Sequence, residues 1–400
     1  MDYPKRIPGS GLVNGRFVDE DAIAGTPGSL IPASWGNSVT EEILNAITAA
    51  GLTPDEEQTD QLARAIRQLA KPDPLQQFPV QVYRKNVLIN GGFDIWQRGA
   101  ANPAPNIGGF VADRFRCDWN GNAGVAISRQ SFVPGQGEVA GEPQAFLRWQ
   151  QTAAGTGSTV HRISQNVESV RTLAGRTATV SFWARSDAAR QLRVMIFQNF
   201  GAAGSETVER AVGDVQVGTA WTQYSVSFQV PGLAGKMLGA YHHLRLAFDL
   251  PLNVLQTVDL ARIQLEEGPV PTPFERRTEA QELSDCQRYF ERSFTGGLPI
   301  RANNGSGTCI STFTQVPAAN TGQYGMTIGM LVQKRVLPTV VAYCPGENSA
   351  QVWNQSIGKP CTGTFLQGLT DRAISFATVT PVGSAPGQTL QIEWTADAEI

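Results

Sequence analysis

The sequence predicts a mainly β protein: an N-terminal helical hairpin, a central jelly-roll β-sandwich, a short linker helix and a C-terminal β-sandwich. Two observations carry this. Gly (41) and Pro (24) make up about 16% of the 400 residues, a share that suits many turns and not a helical bundle. From about residue 84 onward, apolar side chains alternate with polar ones in short runs, the period-2 mark of strands with one buried face. Helical spacing is confined to two stretches, and 41% hydrophobic residues are enough to give each of several domains a core.

The first region, 1–80, begins Gly- and Pro-rich and is expected to be extended as far as Pro32. Ser38-Val39-Thr40-Glu41 reads as a capping box, followed by Val39, Ile43, Ile47 and Ala50 at helical spacing and by Gly51 as the stop. Thr53-Pro54-Asp55-Glu56 reads as a second box, with Leu62, Ile66 and Leu69 as the stripe and Pro72 and Pro74 as terminators. Two such short helices bury little by themselves, so their stripes are expected to pack on a partner or on copies of the chain.

Region 81–274 supplies the sandwich. Thr177–Trp183, Leu192–Phe197, Tyr224–Val230, Leu244–Phe248 and Val258–Leu265 each alternate, and about eight strands are expected, closed by Gly268-Pro269. Region 275–294 is expected to be helical from Glu275 to Arg292, with Leu283, Cys286, Phe290 and Phe294 on one side, either packed on the sandwich or forming a three-chain bundle. Region 295–400 returns to strands at Met326–Val332, Pro338–Tyr343, Arg372–Val379 and Thr389–Thr395. No internal repeat is visible.

Charge excludes some functions. With 32 Lys+Arg against 35 Asp+Glu the net charge is −3, which argues against nucleic-acid binding. Residues 1–80 carry 11 acidic and 6 basic side chains, whereas 295–400 carry only 5 of each. So sparse a charge suits a surface buried against another chain or a polar uncharged face that meets sugars. No run of about 18 apolar residues exists, so no membrane insertion is expected. Met1–Ser10 lacks the apolar core of a secretory signal, and the five scattered cysteines (Cys117, Cys286, Cys309, Cys344, Cys361) read as free, mostly buried thiols of a chain folded in a reducing cytoplasm.

Three segments carry a family likeness. Thr26-Pro27-Gly28-Ser29-Leu30-Ile31-Pro32-Ala33-Ser34-Trp35-Gly36-Asn37, running into 40–47 and 51–55, resembles the N-terminal segment of tailed-bacteriophage tail fibre (receptor-binding) proteins. Asn86-Val87-Leu88-Ile89-Asn90-Gly91-Gly92-Phe93-Asp94-Ile95-Trp96-Gln97-Arg98-Gly99, with Ala112-Asp113-Arg114-Phe115, resembles the opening of the carbohydrate-binding-module-like sandwich of those fibres. Gln264–Gly268, Thr272–Arg277 and Cys286–Phe290 resemble its closing strand and exit helix, and Thr395–Ile400 resembles fibre C-termini. The resemblance implies an elongated homotrimer in the virion tail, made in the host bacterial cytoplasm. Its foot would be held by a baseplate or tail protein through Trp35, Ile43, Ile47, Leu62 and Ile66, and its β-domains would meet a host glycan or pilus.

Enzymatic machinery is thin. His242 and His243 are adjacent and point to opposite faces of a strand, and they and His161 read as surface or interface histidines. There is no Gly-x-Ser-x-Gly elbow, and Gly135–Gly141 lacks phosphate-loop spacing. The expectation is attachment without catalysis, with a polysaccharide depolymerase or a purely structural baseplate component as rivals. Sugars pack on rings and hydrogen-bond to Asn, Gln, Asp and Arg, which makes Trp119 (in a polar loop), Trp353, Asn303, Asn304, Asn348 and Asn354 the candidate receptor-binding residues. Of Phe182 and Trp183, one must face outward. No cofactor is expected, apart from a structural Ca²⁺ between Asp94 and Asp259 where edge strands of a sugar-binding sandwich meet; otherwise Asp259 pairs with Arg262.

Overall fold

The computed structural model describes residues 8–23, 25, 27–69, 85–99, 109–294, 300, 301, 303–305, 314, 315 and 323–400. The chain forms two compact units, Met1–Tyr83 and Arg84–Ile400, so the stretches expected at 81–274, 275–294 and 295–400 share a single unit. Among the described residues no helix is long and apolar enough to cross a membrane.

In the first unit, residues 8–30 are not simply extended. Val13 and Arg16 bridge across a tight turn, and the Ser29 hydroxyl donates to the Gly11 carbonyl while accepting from the Val18 amide. Helix α1 (Ala33–Ala49) starts five residues before the expected box, after Pro32 with no side-chain cap. Ser38 and Thr40 lie inside it and donate back to the Ser34 and Gly36 carbonyls. Gly51, at φ +74°, ends the helix, with the Leu52 amide reaching the Ile47 carbonyl. Helix α2 spans only Gln61–Leu69 and does not start at the second box; the Gln61 side chain instead ties the loop, donating to the Thr53 carbonyl and accepting from the Asp55 amide. Ile47, Ala50 and Ala65 form the small core. Pro72 and Pro74 lie outside the described residues.

The second unit opens with eleven strands, more than the eight expected: β1 (Gly109–Phe110), β2 (Phe115–Trp119), β3 (Gly124–Ser131), β4 (Ala145–Ala153), β5 (His161–Glu168), β6 (Thr177–Ser186), β7 (Arg190–Asn199), β8 (Val208–Val217), β9 (Thr222–Gln229), β10 (His243–Asp249) and β11 (Gln256–Glu267). They pair antiparallel into a six-stranded sheet, β1-β2-β5-β10-β7-β8, and a five-stranded sheet, β3-β4-β11-β6-β9. Alternation supplies the core between them: Leu192, Val194 and Ile196 on β7, Leu244, Leu246 and Phe248 on β10, Ala178, Val180 and Phe182 on β6. Each large side chain so buried contributes roughly 2 kcal/mol.

Two of the segments quoted for the family likeness, at 86–99 and 264–277, fold into one clasp. Asn86 binds both sides of a bulge in β11, donating to the Ile263 carbonyl and accepting from the Leu265 amide. Gly91 lies against the same bulge, where a Cβ would stand 2.1 Å from the Ile263 oxygen. Asn90 closes the 90–95 turn, and Glu275 accepts from the Asn86 amide.

The linker helix is shorter than expected. α3 runs Glu279–Gln287 from a capping box of Thr278 and Gln281, and Phe290–Arg292 is instead a strand, β12, buried throughout. Cys286, Phe290 and Phe294 are buried within the chain itself, so the expected stripe is already covered. The remaining strands are β13 (Thr314–Gln315), β14 (Gln323–Gly329), β15 (Thr339–Tyr343), β16 (Trp353–Asn354), β17 (Lys359–Pro360), β18 (Thr362–Leu369), β19 (Ala373–Val379), β20 (Thr389–Gln391) and β21 (Glu393–Asp397). They form sheets β12-β21-β15, β13-β20-β16-β17 and β14-β19-β18 around a second core that includes Met326, Ile374, Phe376, Leu390 and Trp394.

Charged pairs join this core to the sandwich. Glu399 meets Arg98 and Arg114, Arg98 also reaches Asp397 at 3.0 Å, and Arg288 is bidentate on Glu168 at 2.8 and 3.2 Å. Lys334, fully buried, donates to Glu291 and to the Gln287 and Val332 carbonyls.

Candidate functional site

The outer face of the six-stranded sheet is ordered by register. Asp118 on β2, Arg162 on β5, Asp249 on β10, Arg193 on β7 and Asp214 on β8 stand side by side across five strands, an alternating row of charge. Arg162 is bidentate on Asp249 at 2.5 and 2.9 Å, Arg193 donates to Asp214 at 3.0 Å, and Arg116 donates to Asp118 at 2.7 Å. These bonds raise the pKa values of Arg162 and Arg193 above the ordinary arginine range.

The next row holds Arg116, Ser164, Ala247, Met195 and Ala211, of which Ser164, Ala247 and Met195 are buried. Beyond it stand Asn166, Arg245, Phe197 and Glu209. Arg245 donates to Asn166 at 2.7 Å, and burial lowers its pKa. The Arg162 and Arg245 guanidiniums lie 4.5 and 5.8 Å from the Phe197 ring centre. A final row holds Glu168, His243 and Asn199.

Two clefts flank the face. One of about 300 Å³ is lined by Thr159, His161, Gln191, Arg193, Asp249 and Pro251. The other, of about 650 Å³, lies where the sandwich meets the C-terminal core, with Asn199, Glu206, Tyr241 and His243 from the first and Arg335 and Glu399 from the second. Both volumes fall within the range usual for small-ligand sites.

The histidines are not surface residues throughout. His161 and His243 are buried, each with one ring nitrogen on a carbonyl, Pro251 and Tyr241 respectively, at 3.1 Å, and with a buried Nε2 that has no hydrogen-bond partner among the described residues. Burial lowers both pKa values. For His243, where the guanidiniums of Arg245, Arg335 and Arg114 add to burial, the value falls to about 4. His242 accepts from the Val170 amide.

Several expected site residues are structural. Trp119 is not in a loop: it ends β2 at an inward position, edge-on to Trp149 at 5.9 Å in the core. Asn354 is fully buried, donating to Ser384 and Gln388 and accepting from the Ser356 amide. Asp259 pairs with neither Asp94 nor Arg262: both its oxygens are taken by Arg148 (2.8 Å twice) and Arg185 (2.9 Å), its partners in register on β4 and β6. Asp94 instead sits among Arg129, Arg262 and Arg276, and among the described residues no three His, Cys, Asp or Glu side chains converge to hold a metal ion.

Asn303, Asn304, Asn348 and Trp353 do come into one neighbourhood. The Asn303 and Gly305 amides bond to the Cys344 and Pro345 carbonyls, Asn348 is exposed in the same loop, and the Trp353 ring lies on Gly346. Among the foot residues, Ile47 is buried inside the hairpin, Trp35 rests edge-on against Phe17 at 5.3 Å, and Ile43, Leu62 and Ile66 are exposed, Ile66 by 56%. Cys117, Cys286, Cys344 and Cys361 are free and buried; Cys309 lies outside the described residues.

Sequence reasoning missed Arg162, Arg193, Arg245, Asp249 and Phe197. Their signal was local, a charged or bulky residue at the outward step of an alternating run such as Leu192-Arg193-Val194 or Leu244-Arg245-Leu246.

No family model matches the chain, and no curated protein matches it. Solved structures that resemble it include the enzymatically active domain of bacteriophage CBA120 tailspike protein 4, at 14% identity over 46% of this chain and 22% of that one, TM-score 0.31. A CBM4 structure resembles it at 18% identity over 45% of this chain and 98% of that one, TM-score 0.29. TmCBM61 in complex with β-1,4-galactotriose does so at 13% identity over 46% and 99%, TM-score 0.28. Among the described residues the chain is mainly β with three helices and several sheets, and it is similar over somewhat less than half its length to those structures. At such scores the likeness assigns neither family nor activity.

Proposed function

We propose that the chain is a non-catalytic attachment protein of the phage tail-fibre kind, which holds a host-surface glycan on the outer face of the six-stranded sheet. The observation that carries this reading is the row Asp118, Arg162, Asp249, Arg193 and Asp214. A sugar hydroxyl both donates and accepts, so a chain of sugars is met best by alternating acceptors and donors held at fixed spacing. Mutual ion pairs pin these side chains, so little rotamer entropy is lost on binding. Beside them the Phe197 ring is buried and carries the Arg162 and Arg245 guanidiniums at 4.5 and 5.8 Å from its centre, which holds these donors in place.

Each carboxylate of the row lies against a guanidinium, which favours binding over hydrolysis: a glycosidase needs one carboxyl poised to give up a proton beside a second that attacks or activates water. On this reading the helical foot engages a tail or baseplate protein through Ile43, Leu62 and Ile66, and three copies give avidity to shallow sites.

The test is adsorption of the labelled full chain to a panel of bacterial strains before and after periodate oxidation of their surface sugars. Adsorption that periodate abolishes is expected. Adsorption that survives periodate but not protease points to a protein receptor, and release of reducing ends from purified polysaccharide points to a depolymerase. Light scattering of the purified chain checks the trimer.

A further inference from the structure

The 650 Å³ cleft at the seam between the two cores combines features that neither core has alone. Tyr241 is 60% exposed, and it holds φ at +63°, a left-handed conformation that costs a bulky residue of the order of 1 kcal/mol. The loop beneath is built to keep it there. Residues 200–204 and 239–241 cross in direct backbone contact, with the Ala202 amide on the Ala240 carbonyl and the Gly239 amide on the Phe200 carbonyl at 2.7 Å. Gly201, Gly204 and Gly239 permit the crossing, since a Cβ on any of them would stand within about 2 Å of a carbonyl oxygen (2.1, 2.1 and 1.8 Å).

Beside the ring lie groups of opposite charge. The Arg335 guanidinium is 5.7 Å from the Tyr241 ring centre and 3.7 Å from the Glu168 carboxylate. Arg288 already binds Glu168 in two-point fashion; these bonds and the Arg335 charge hold the Glu168 carboxyl below the usual range although burial alone would raise it. The Arg335 side chain is 10% exposed and lines the cleft. Across the cleft Glu206 is exposed and makes no hydrogen bond or ion pair with the described residues, whereas Glu399 is consumed by Arg98 and Arg114. His243 is held neutral by its burial and by the surrounding guanidiniums. The working groups are thus one ring, one donor cluster and one carboxylate, close to neutral in sum.

We infer that this cleft is a saccharide subsite for a neutral pyranose, whose C–H face lies on Tyr241 while its hydroxyls donate to Glu206 and accept from Arg335. The inference rests on the reading of the chain as a glycan-binding protein and deepens it: the subsite continues the last row of the sheet face, through His243 and Asn199, and is incomplete without the 331–338 loop of the C-terminal core. An acidic sugar is disfavoured, because its carboxylate would face Glu206 and compete with Glu168 for Arg335.

Isothermal titration of the full chain tests this, with neutral β-linked trisaccharides of glucose, galactose and N-acetylglucosamine against trigalacturonate. At least one neutral probe is expected to bind ten-fold or more tightly than trigalacturonate. Tyr241→Ala is expected to weaken it at least ten-fold, Tyr241→Phe by less than three-fold, and Glu206→Gln about five-fold, with melting temperatures unchanged because both side chains are exposed. Tighter binding of trigalacturonate overturns the neutral assignment. Wild-type affinity in Tyr241→Ala and Glu206→Gln, with binding lost in Asp249→Asn, overturns the cleft and leaves the face reading intact. Failure of the wild type to bind any probe overturns the cleft inference, and the periodate adsorption experiment then decides the attachment reading by itself.

Discussion

Both outer faces of the sandwich carry arginines locked on aspartates, yet the two are put to different use. On the five-stranded sheet, Arg148 and Arg185 grip Asp259, whose side chain is only 3% exposed. Beside them Phe132, Phe146 and Trp221 meet with ring centres 4.8 to 5.3 Å apart, and Val139 from the 132–144 loop is buried with them. On the six-stranded sheet, Arg162 grips Asp249 in the same two-point geometry, but Asp249 keeps 28% of its side chain open. The chemistry is identical and the roof differs. A carboxylate closed off between two guanidiniums beside aromatic rings is structure; one that keeps an open side is an acceptor available to a ligand.

The largest expected break in that comparison is Asp259→Asn. It strands two guanidiniums against the Phe146 and Trp221 rings and should cost about 3 kcal/mol in urea unfolding. The folded fraction should bind glycan as the wild type does. A loss below about 1 kcal/mol would show that the roofed pair is dispensable and erase the distinction.

Acid sharpens the contrast next, because all three histidines belong to the six-stranded sheet or the loop leading into it. An unfolded histidine titrates near 6.5, and His243 in the folded chain near 4. Between those values the unfolded chain binds the proton first, so stability is full above about 6.5 and falls as pH drops. The loss reaches about 3 kcal/mol near pH 4 from His243, with His161 adding in the same direction. Denaturant titrations at pH 7, 5.5 and 4.5 should show the loss, and His243→Gln should remove most of it. Groups such as Glu168, whose folded pKa is depressed, lose their contribution only at lower pH.

How much of this was legible in the sequence depends on the range of the interactions. The core strands were readable because alternation is local: Leu192, Val194 and Ile196 show their inward side whatever lies next to them. Trp119 was misplaced since Asp118 and Asn120 look like loop residues, whereas Asp118 is simply the outward step of a strand whose inward steps are Cys117 and Trp119. Phe290 was read as helix because its strand partner, Asp397, lies more than 100 residues away. The charged row was invisible for the same reason. Arg193 and Asp249 are each plain outward residues until the order β2-β5-β10-β7-β8 sets them side by side. Asn354 looked like a loop tip, and only the 384–388 turn that buries it shows otherwise.

A smaller effect on stability but a direct one on function is expected from Asp249→Asn. With 28% of the Asp249 side chain and 17% of that of Arg162 open to water, the pair should be worth about 1 kcal/mol to folding. In the glycan complex, loss of one charged acceptor should weaken binding about ten-fold, close to 1.4 kcal/mol. Titration of wild type and variant at equal folded fraction checks it. Unchanged affinity would remove the row from the binding site.

The smallest effect belongs to Gln223→Ala on the five-stranded face. Gln223 is exposed and stands in register with Trp183, the outward neighbour of the core residue Phe182, so ring and amide together have the make-up of a sugar platform. Yet Trp183 packs on the cluster of Phe146 and Trp221, and Asp259, the one carboxylate in the adjoining row, is only 3% exposed. A hydroxyl arriving there would find the ring but no charged acceptor. Gln223→Ala should therefore change stability by less than about 0.5 kcal/mol and glycan affinity by less than two-fold. A ten-fold loss would transfer the binding face from one sheet to the other, because no path through the core connects Gln223 to Asp249 other than the packed layer between the sheets.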